Sequence, residues 1–495
     1  MGARSVWGDA VGPVKGLLLG ALLLSGGCKV TAEDIDYWKG TVKGPGKIVA
    51  VMLADKYAMD LRTQAALALV DMERNDRDGT AELQQALQRL EAEERAEVIR
   101  GMVPGLEALL KQADPNSEGP SPRQIRAKDA AFLLIAQAPP DIKARLTEDV
   151  VAWYVEDFNG RSLAGAYSAE QVIRALGSPA AKTLVGGLKA RLPQQALVKM
   201  AQLISQIAEA DARKEAAARL VAIEQEMESQ AFLDWLAGNV REQLVKAGKE
   251  PDPKVIANAA ALNRENFITE GALPAMKWLA AEPVVKQRLL ALASSPLKGA
   301  AEGRRVRALQ ALEGQVDKGD LDKVLALALD TDNPVAVRDY AFDRVGDIRS
   351  PAALPSLWPL VGSTQDARLR WRAGELVLAI GGPGIISEFL SKLPSDADYP
   401  AEELEGYATR LGQMAPLPTR TMQGELNDST WWRRVIAIRF FERKGGSEDV
   451  KRIQALKNDG AKVKGQHWGK AKTVGDVAVE AAQSAKDRLA ISGGK

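Results

Sequence analysis

Cysteine and histidine each occur once in 495 residues, aromatic residues make up only 5%, and 66 basic residues stand against 65 acidic ones. A single thiol and a single imidazole cannot assemble a Cys₄ or Cys₂His₂ zinc cluster. His467 alone offers little to a Ser-His-Asp triad, and it reads as a solvent-facing or helix-terminal residue. No catalytic residue, metal ligand or cofactor site is therefore expected. A balanced charge and a pI of about 7.7 argue against a polyanion, so nucleic acid is not an expected partner. Gly44-Pro45-Gly46-Lys47 has the outline of a phosphate loop, but Thr41 stands where its first glycine belongs and Ile48 where a hydroxyl would hold magnesium.

Long apolar runs are scarce as well. The one near the N-terminus, Leu17 to Leu24, is far short of the roughly 20 residues that a membrane-spanning helix needs. Arg4 and Lys15 precede it, and Gly26 and Gly27 lead directly into Cys28, as a processing site with a narrow pocket requires. Val6 excludes a myristoylation signal at Gly2. With no second cysteine, Cys28 has no disulfide partner in its own chain. Residues 1–28 resemble the precursors of bacterial lipoproteins, with Ser25 where that family usually carries Leu. The resemblance implies a signal peptide over 1–27, cleavage before Cys28, acylation there, and a membrane held through the lipid. Lys29 after the cysteine resembles lipoproteins sent to the outer membrane. The expected location is thus the cell envelope, facing the periplasm.

What the chain has in abundance is alanine and leucine with few β-branched runs, the composition of helices packed through small residues. A single core of this length would be unusually large, which favours several domains or a solenoid. Arg307, Arg338 and Arg370 recur at 31 and 32 residues, and Arg434 falls 64 after Arg370, skipping a unit at Glu402. Gly314, Gly346, Gly381 and Gly445 follow as left-handed helix caps. Asn333-Pro334, Ser350-Pro351 and Ser178-Pro179 read as helix starts. Each unit therefore holds two helices. Asp332 to Asp347 and Ala352 to Val361 resemble the shorter bacterial HEAT repeats, which implies that Arg338 and Arg370 tie consecutive units through neighbouring carboxylates.

The expected fold is all-α, an α-solenoid of stacked two-helix HEAT-like repeats. Weaker repeats occupy 61–250, with Arg62 and Arg126 again 64 apart; clear ones occupy 300–460. A helical junction at 251–299 joins them, a capping helix and tail fill 461–495, and 28–60 forms a tether with a non-helical stretch at Gly40 to Gly46. Asp114 to Pro122 reads as a surface loop. The acidic run Glu91, Glu93, Glu94 and Glu97, interspersed with arginines, reads as a solvated helix face.

Stacked repeats present a long surface without an enclosed pocket. The expected function is a lipid-anchored envelope scaffold that binds a protein partner. Trp431, Trp432 and Arg433 are the residues singled out for partner contact, because tryptophan and arginine are favoured anchors; capping by Asp428 or Ser429, with the aromatics packed between repeats, is the competing role. The alternatives are a HEAT-like lyase or hydrolase with a concave carboxylate and arginine site, or a passive structural component of the envelope.

Overall fold

A computed structural model describes residues 29–72, 79–112 and 119–493. Cys28 and the signal segment before it lie outside the described residues, as does most of the Asp114 to Pro122 loop. Among the described residues, all regular structure is helical apart from one isolated bridge between Lys462 and Thr473. The chain is an all-α solenoid of two-helix repeats, and it divides into two compact units at Val150/Val151, within the helix Pro140–Glu156 and not near residue 250.

In the first unit, Gly44–Leu53 packs on Met59–Val70, which packs on Ala92–Lys111, followed by Pro122–Ile135. The expected tether is folded. Ala32–Lys39 and Gly44–Leu53 are helices, Pro45 sits in the first turn of the second, where its missing N–H costs nothing, and Ile35, Ile48 and Met52 are fully buried.

In the second unit, the second helices of successive pairs lie side by side in a row. Leu273–Lys277 packs on Glu302–Ala311, then follow Val335–Ile348, Ala367–Gly381, Ala401–Leu411, Trp431–Lys444 and Val474–Gly493. First helices Pro283–Ser294, Leu321–Leu329 and Leu354–Val361 each pack on the second helix that follows. The expected junction is one continuous helix, Pro253–Phe267, running through a π turn at Ile268–Ala272 into Leu273–Lys277. Its first part pairs with Gln230–Lys246, and its last part joins the row. Ala367–Lys392 is long and apolar enough to cross a membrane by length and composition, but it is interrupted at Gly382–Ile385 and carries the buried Arg370, as a core segment of the stack does.

The repeating arginine has a specific task. The last carbonyls of a helix have no intrahelical donor, and a cation there also meets the negative end of the helix dipole. Arg338 Nε reaches the carbonyl of Ala328, the end of its own first helix, at 3.4 Å, and Arg370 reaches Ser363 at 3.0 Å. Arg62 makes the same contact with Met52, while Arg126 and Arg219 reach carbonyls at the ends of helices farther back, those of Val70 and Leu188. In the 302–311 helix the residue in this position is Arg305, which donates to Ala293 O and to Asn333 Oδ1, and not Arg307. Asn333 accordingly receives an arginine and does not cap a helix, which Pro334 precedes. Of the four glycines expected as left-handed caps only Gly314 has a positive φ; the left-handed cap after Gly346 is Arg349 (φ 48°), Gly382 after Gly381 has a positive φ (62°) with an extended ψ of −158°, and Gly445 has a negative φ.

Candidate functional site: the second-helix row around Trp371

The skipped unit contains the most deeply buried ion pair of the row. Glu403, and not Glu402, follows Arg370 by one repeat, and the repeating cation is replaced there by a carboxylate. Arg370 grips it with two bonds of 2.7 Å, while donating to the carbonyls of Ser363 and Asp398; both side chains are 1% exposed. Burial pushes the Glu403 carboxyl up, while the Arg370 guanidinium and the Tyr407 hydroxyl, which donates to it at 2.9 Å, pull it back. Arg370 also lies over the ring of Tyr399, 4.5 Å from its centroid.

This pair clamps the Ala367 and Ala401 helices at a close approach. A Cβ built on Gly374 would stand 2.5 Å from the Tyr407 ring, and one on Gly406 would stand 2.4 Å from Trp371 Nε1. Each helix thus offers a glycine to the other's aromatic ring. The indole of Trp371 is half-buried, and its N–H is buried without a partner.

Trp371 lines a cleft of about 620 Å³ with Ala367, Pro400, Asp339, Asp343, Arg368, Arg372, Glu402 and His467. Neighbouring clefts of about 310 and 450 Å³ continue along the same row past Asp343 and Arg344 to Arg307 and Lys277. The charges in this row are paired from helix to helix. Arg368 holds Asp339, Arg372 holds Asp343, Arg307 reaches Glu270 at 2.5 Å, Lys277 reaches Glu313 at 2.9 Å and Arg439 reaches Glu405 at 3.3 Å. His467 Nδ1 stands 2.7 Å from Glu402 at the rim. Paired charges give the surface no dominant sign, which suits a mixed polar and apolar ligand better than a polyanion.

The residues singled out in the sequence are engaged elsewhere. Trp432 is 1% and Trp431 9% exposed. Both pack on Tyr399, with centroids at 5.4 and 6.1 Å, and Trp431 also meets Trp468. Arg433 lies over Trp432, donates to Leu390 O at 3.0 Å and pairs with Asp428 at 3.3 Å. The structure places these three side chains inside the stack and not on its surface, Trp431 and Trp432 buried and Arg433 bonded within it, while the Trp432 indole N–H is buried without a hydrogen-bond partner. Thr430 is the N-cap residue of their helix, and Asp428 accepts the Thr430 N–H. The surface residues that sequence reasoning missed are Trp371, Asp339, Asp343, Arg368 and Arg372. Their signal was present as two i,i+4 pairs of opposite sign on successive second helices.

The densest cluster of carboxylates and arginines lies apart from this cleft. Arg304 grips both oxygens of Glu265 at 2.6 and 2.7 Å and reaches Glu228 at 2.5 Å, while Arg288 grips both oxygens of Glu224. Every carboxylate in it is held by an arginine, so it presents no free acid and base to a substrate. No group of three or more metal-ligating side chains occurs among the described residues.

No family model matches the chain, and no curated protein does. Among solved structures, it is similar to the karyopherin Kap121p at 15% identity over 86% of this chain and 43% of that one, with a TM-score of 0.35. The complex of Kap121p with the SUMO protease Ulp1p aligns at 15% identity over 92% and 45%, with a TM-score of 0.36. The UNC-45 chaperone that binds and folds muscle myosin aligns at 11% identity over 92% and 52%, with a TM-score of 0.22. The chain spans about half the length of these structures or less.

Proposed function

We propose that the protein is a non-enzymatic scaffold that binds a partner protein along the second-helix row of its second unit, with the Trp371 cleft as the anchoring point. One observation carries this reading: an aromatic and proline-lined cleft of about 620 Å³ opens on a row of exposed, pairwise-neutralised charges. An apolar side chain of the partner would fill the cleft against Trp371 and Pro400, and polar groups beside it would meet the rim. The experiment is in vivo photocrosslinking from position 368, which is exposed on the row, and from position 322, which is exposed on a first helix. A discrete adduct from 368 but not from 322, lost in Trp371→Ala, is the expected result. Identical patterns from both positions would leave only the passive structural role.

We further propose that the scaffold is held in the cell envelope by lipid on Cys28, facing the periplasm from the outer membrane. Support comes from the apolar run, the two glycines before the thiol and the absence of a second cysteine. Mass analysis of the mature N-terminus should find an acylated Cys28, and Cys28→Ala should shift the protein out of the membrane fraction. An unmodified N-terminus together with unchanged fractionation of the variant rejects the anchor.

A further inference from the structure

The lysines at the C-terminal end contrast with the charges of the row. Lys457, Lys462, Lys464, Lys470 and Lys472 fall within one short segment, all exposed, and none forms an ion pair with a carboxylate among the described residues. Both acids bordering this segment are occupied. Asp459 accepts from two Arg434 nitrogens, at 2.7 and 3.2 Å, and Asp476 accepts the backbone N–H groups of Lys472 and Thr473 while lying within electrostatic reach of Lys472.

The segment is an ordered hairpin and not a loose tail. Val463 N donates to Lys472 O at 3.1 Å and Val474 N to Ala461 O at 2.8 Å, closing its two arms. Tyr399 N and Ala401 N donate to Lys464 O and Gln466 O, and the Trp468 indole donates to Tyr399 O at 3.1 Å, fixing it on the stack. Gly465 (φ 118°) permits this approach, since a Cβ there would lie 2.4 Å from Tyr399 O. Lys462 and Lys464 therefore leave one arm, Lys470 and Lys472 the other, and Lys457 the base.

We propose that this lysine hairpin is an electrostatic docking surface for an anionic lipid bilayer. Lys472 has Asp476 within electrostatic reach, but no ion pair neutralises any of the five lysines among the described residues, and clustered cations repel one another, a cost that a sheet of mobile anionic headgroups relieves without any shaped pocket. The segment contains no arginine for bidentate phosphate recognition; its Trp468 ring is packed on Trp431 and its His467 ring stands 2.7 Å from the Glu402 carboxylate, which disfavours stacking of polyanionic bases there. With the ring packed inward, binding is by charge alone and is screened by salt. The hairpin's own binding does not depend on acylation at Cys28.

The test uses the full chain carrying Cys28→Ala, with and without Lys462→Gln, Lys464→Gln, Lys470→Gln and Lys472→Gln together, in co-sedimentation with phosphatidylcholine vesicles that contain or lack phosphatidylglycerol. Phosphatidylglycerol-dependent binding should fall about tenfold or more in the fourfold variant, given a few-fold per lysine, and should vanish at high salt. Equal binding of both chains to the anionic vesicles overturns the proposal. So does binding to duplex DNA or to an acidic protein without any phosphatidylglycerol dependence. Because the four side chains are exposed, the variant should melt as the parent does, and its crosslinking from position 368 should persist, which separates this outcome from failure of the scaffold reading.

Discussion

At the scale of single residues, the second unit places a charge pair where most proteins would place hydrocarbon. Removing one member of a buried pair leaves the other uncompensated, a loss of about 3–5 kcal/mol, whereas replacing both with apolar groups is often neutral or better. Glu403→Gln should therefore destabilise the Ala367 and Ala401 helices strongly, and Arg370→Met with Glu403→Leu should recover most of the loss in chemical denaturation. If the double variant is as unstable as the single one, the backbone bonds of Arg370 outweigh its ion pair. In the first unit, burial and the neighbouring Glu107 carboxylate push the Asp149 carboxyl up to about 6, while Arg145 holds Glu107 ionised. An acid with a raised pKa favours the fold while protonated, so its contribution is complete below about pH 4 and is lost as pH rises toward 6. Asp149→Asn, which stays neutral, should slow amide exchange in Ala92–Lys111 and Pro140–Glu156 at pH 7.5 by on the order of 1–2 kcal/mol, allowing for solvent screening, and by much less at pH 4. An equal effect at both pH values would remove the titration from the explanation.

At the scale of elements, the decisive contact is the reciprocal one in which Gly374 faces Tyr407 and Gly406 faces Trp371. A methyl group at Gly374 meets a ring carbon that is fixed by its own hydrogen bonds, so Gly374→Ala should cost about 1–3 kcal/mol as overpacking does. Gly384→Ala, which meets nothing within 4 Å, should be silent. Comparable melting temperatures for the two variants would show that the helices can separate freely. The repeat itself was legible because a cation near the start of each second helix recurs at nearly constant spacing. Its register was not: Arg305 and Arg307 are two positions apart on one helix, and only packing shows which of them turns toward the carbonyls of Pro283–Ser294. Glu403 escaped notice because the pattern sought a cation where the fold uses the opposite charge. The sequence left the Trp431 and Trp432 pair open to either partner contact or packing between repeats because its cover, Tyr399 and Trp468, comes from distant parts of the chain.

At the scale of the molecule, a stack in which each second helix touches mainly its neighbours has a stability close to a sum of local and nearest-neighbour terms. A lesion in such a stack should stay local. Hydrogen exchange of the Glu403→Gln variant should show faster opening in Ala367–Gly381, Ala401–Leu411 and the adjoining Trp431–Lys444, while Gln194–Ile207 and Ala210–Met227 keep their protection. The buried Arg304, Glu265, Glu228, Glu224 and Arg288 network sharpens the expectation, because it fastens helices far apart in sequence at the other end of the row. Arg304→Met should open Ala210–Met227, Pro253–Phe267 and Glu302–Ala311 together and leave Ala401–Leu411 protected, the converse pattern. If both variants instead accelerate exchange uniformly from residue 194 to residue 493, the second unit unfolds as one cooperative body. A partner bound at Trp371 would then stabilise every helix of the unit and not only those beside the cleft.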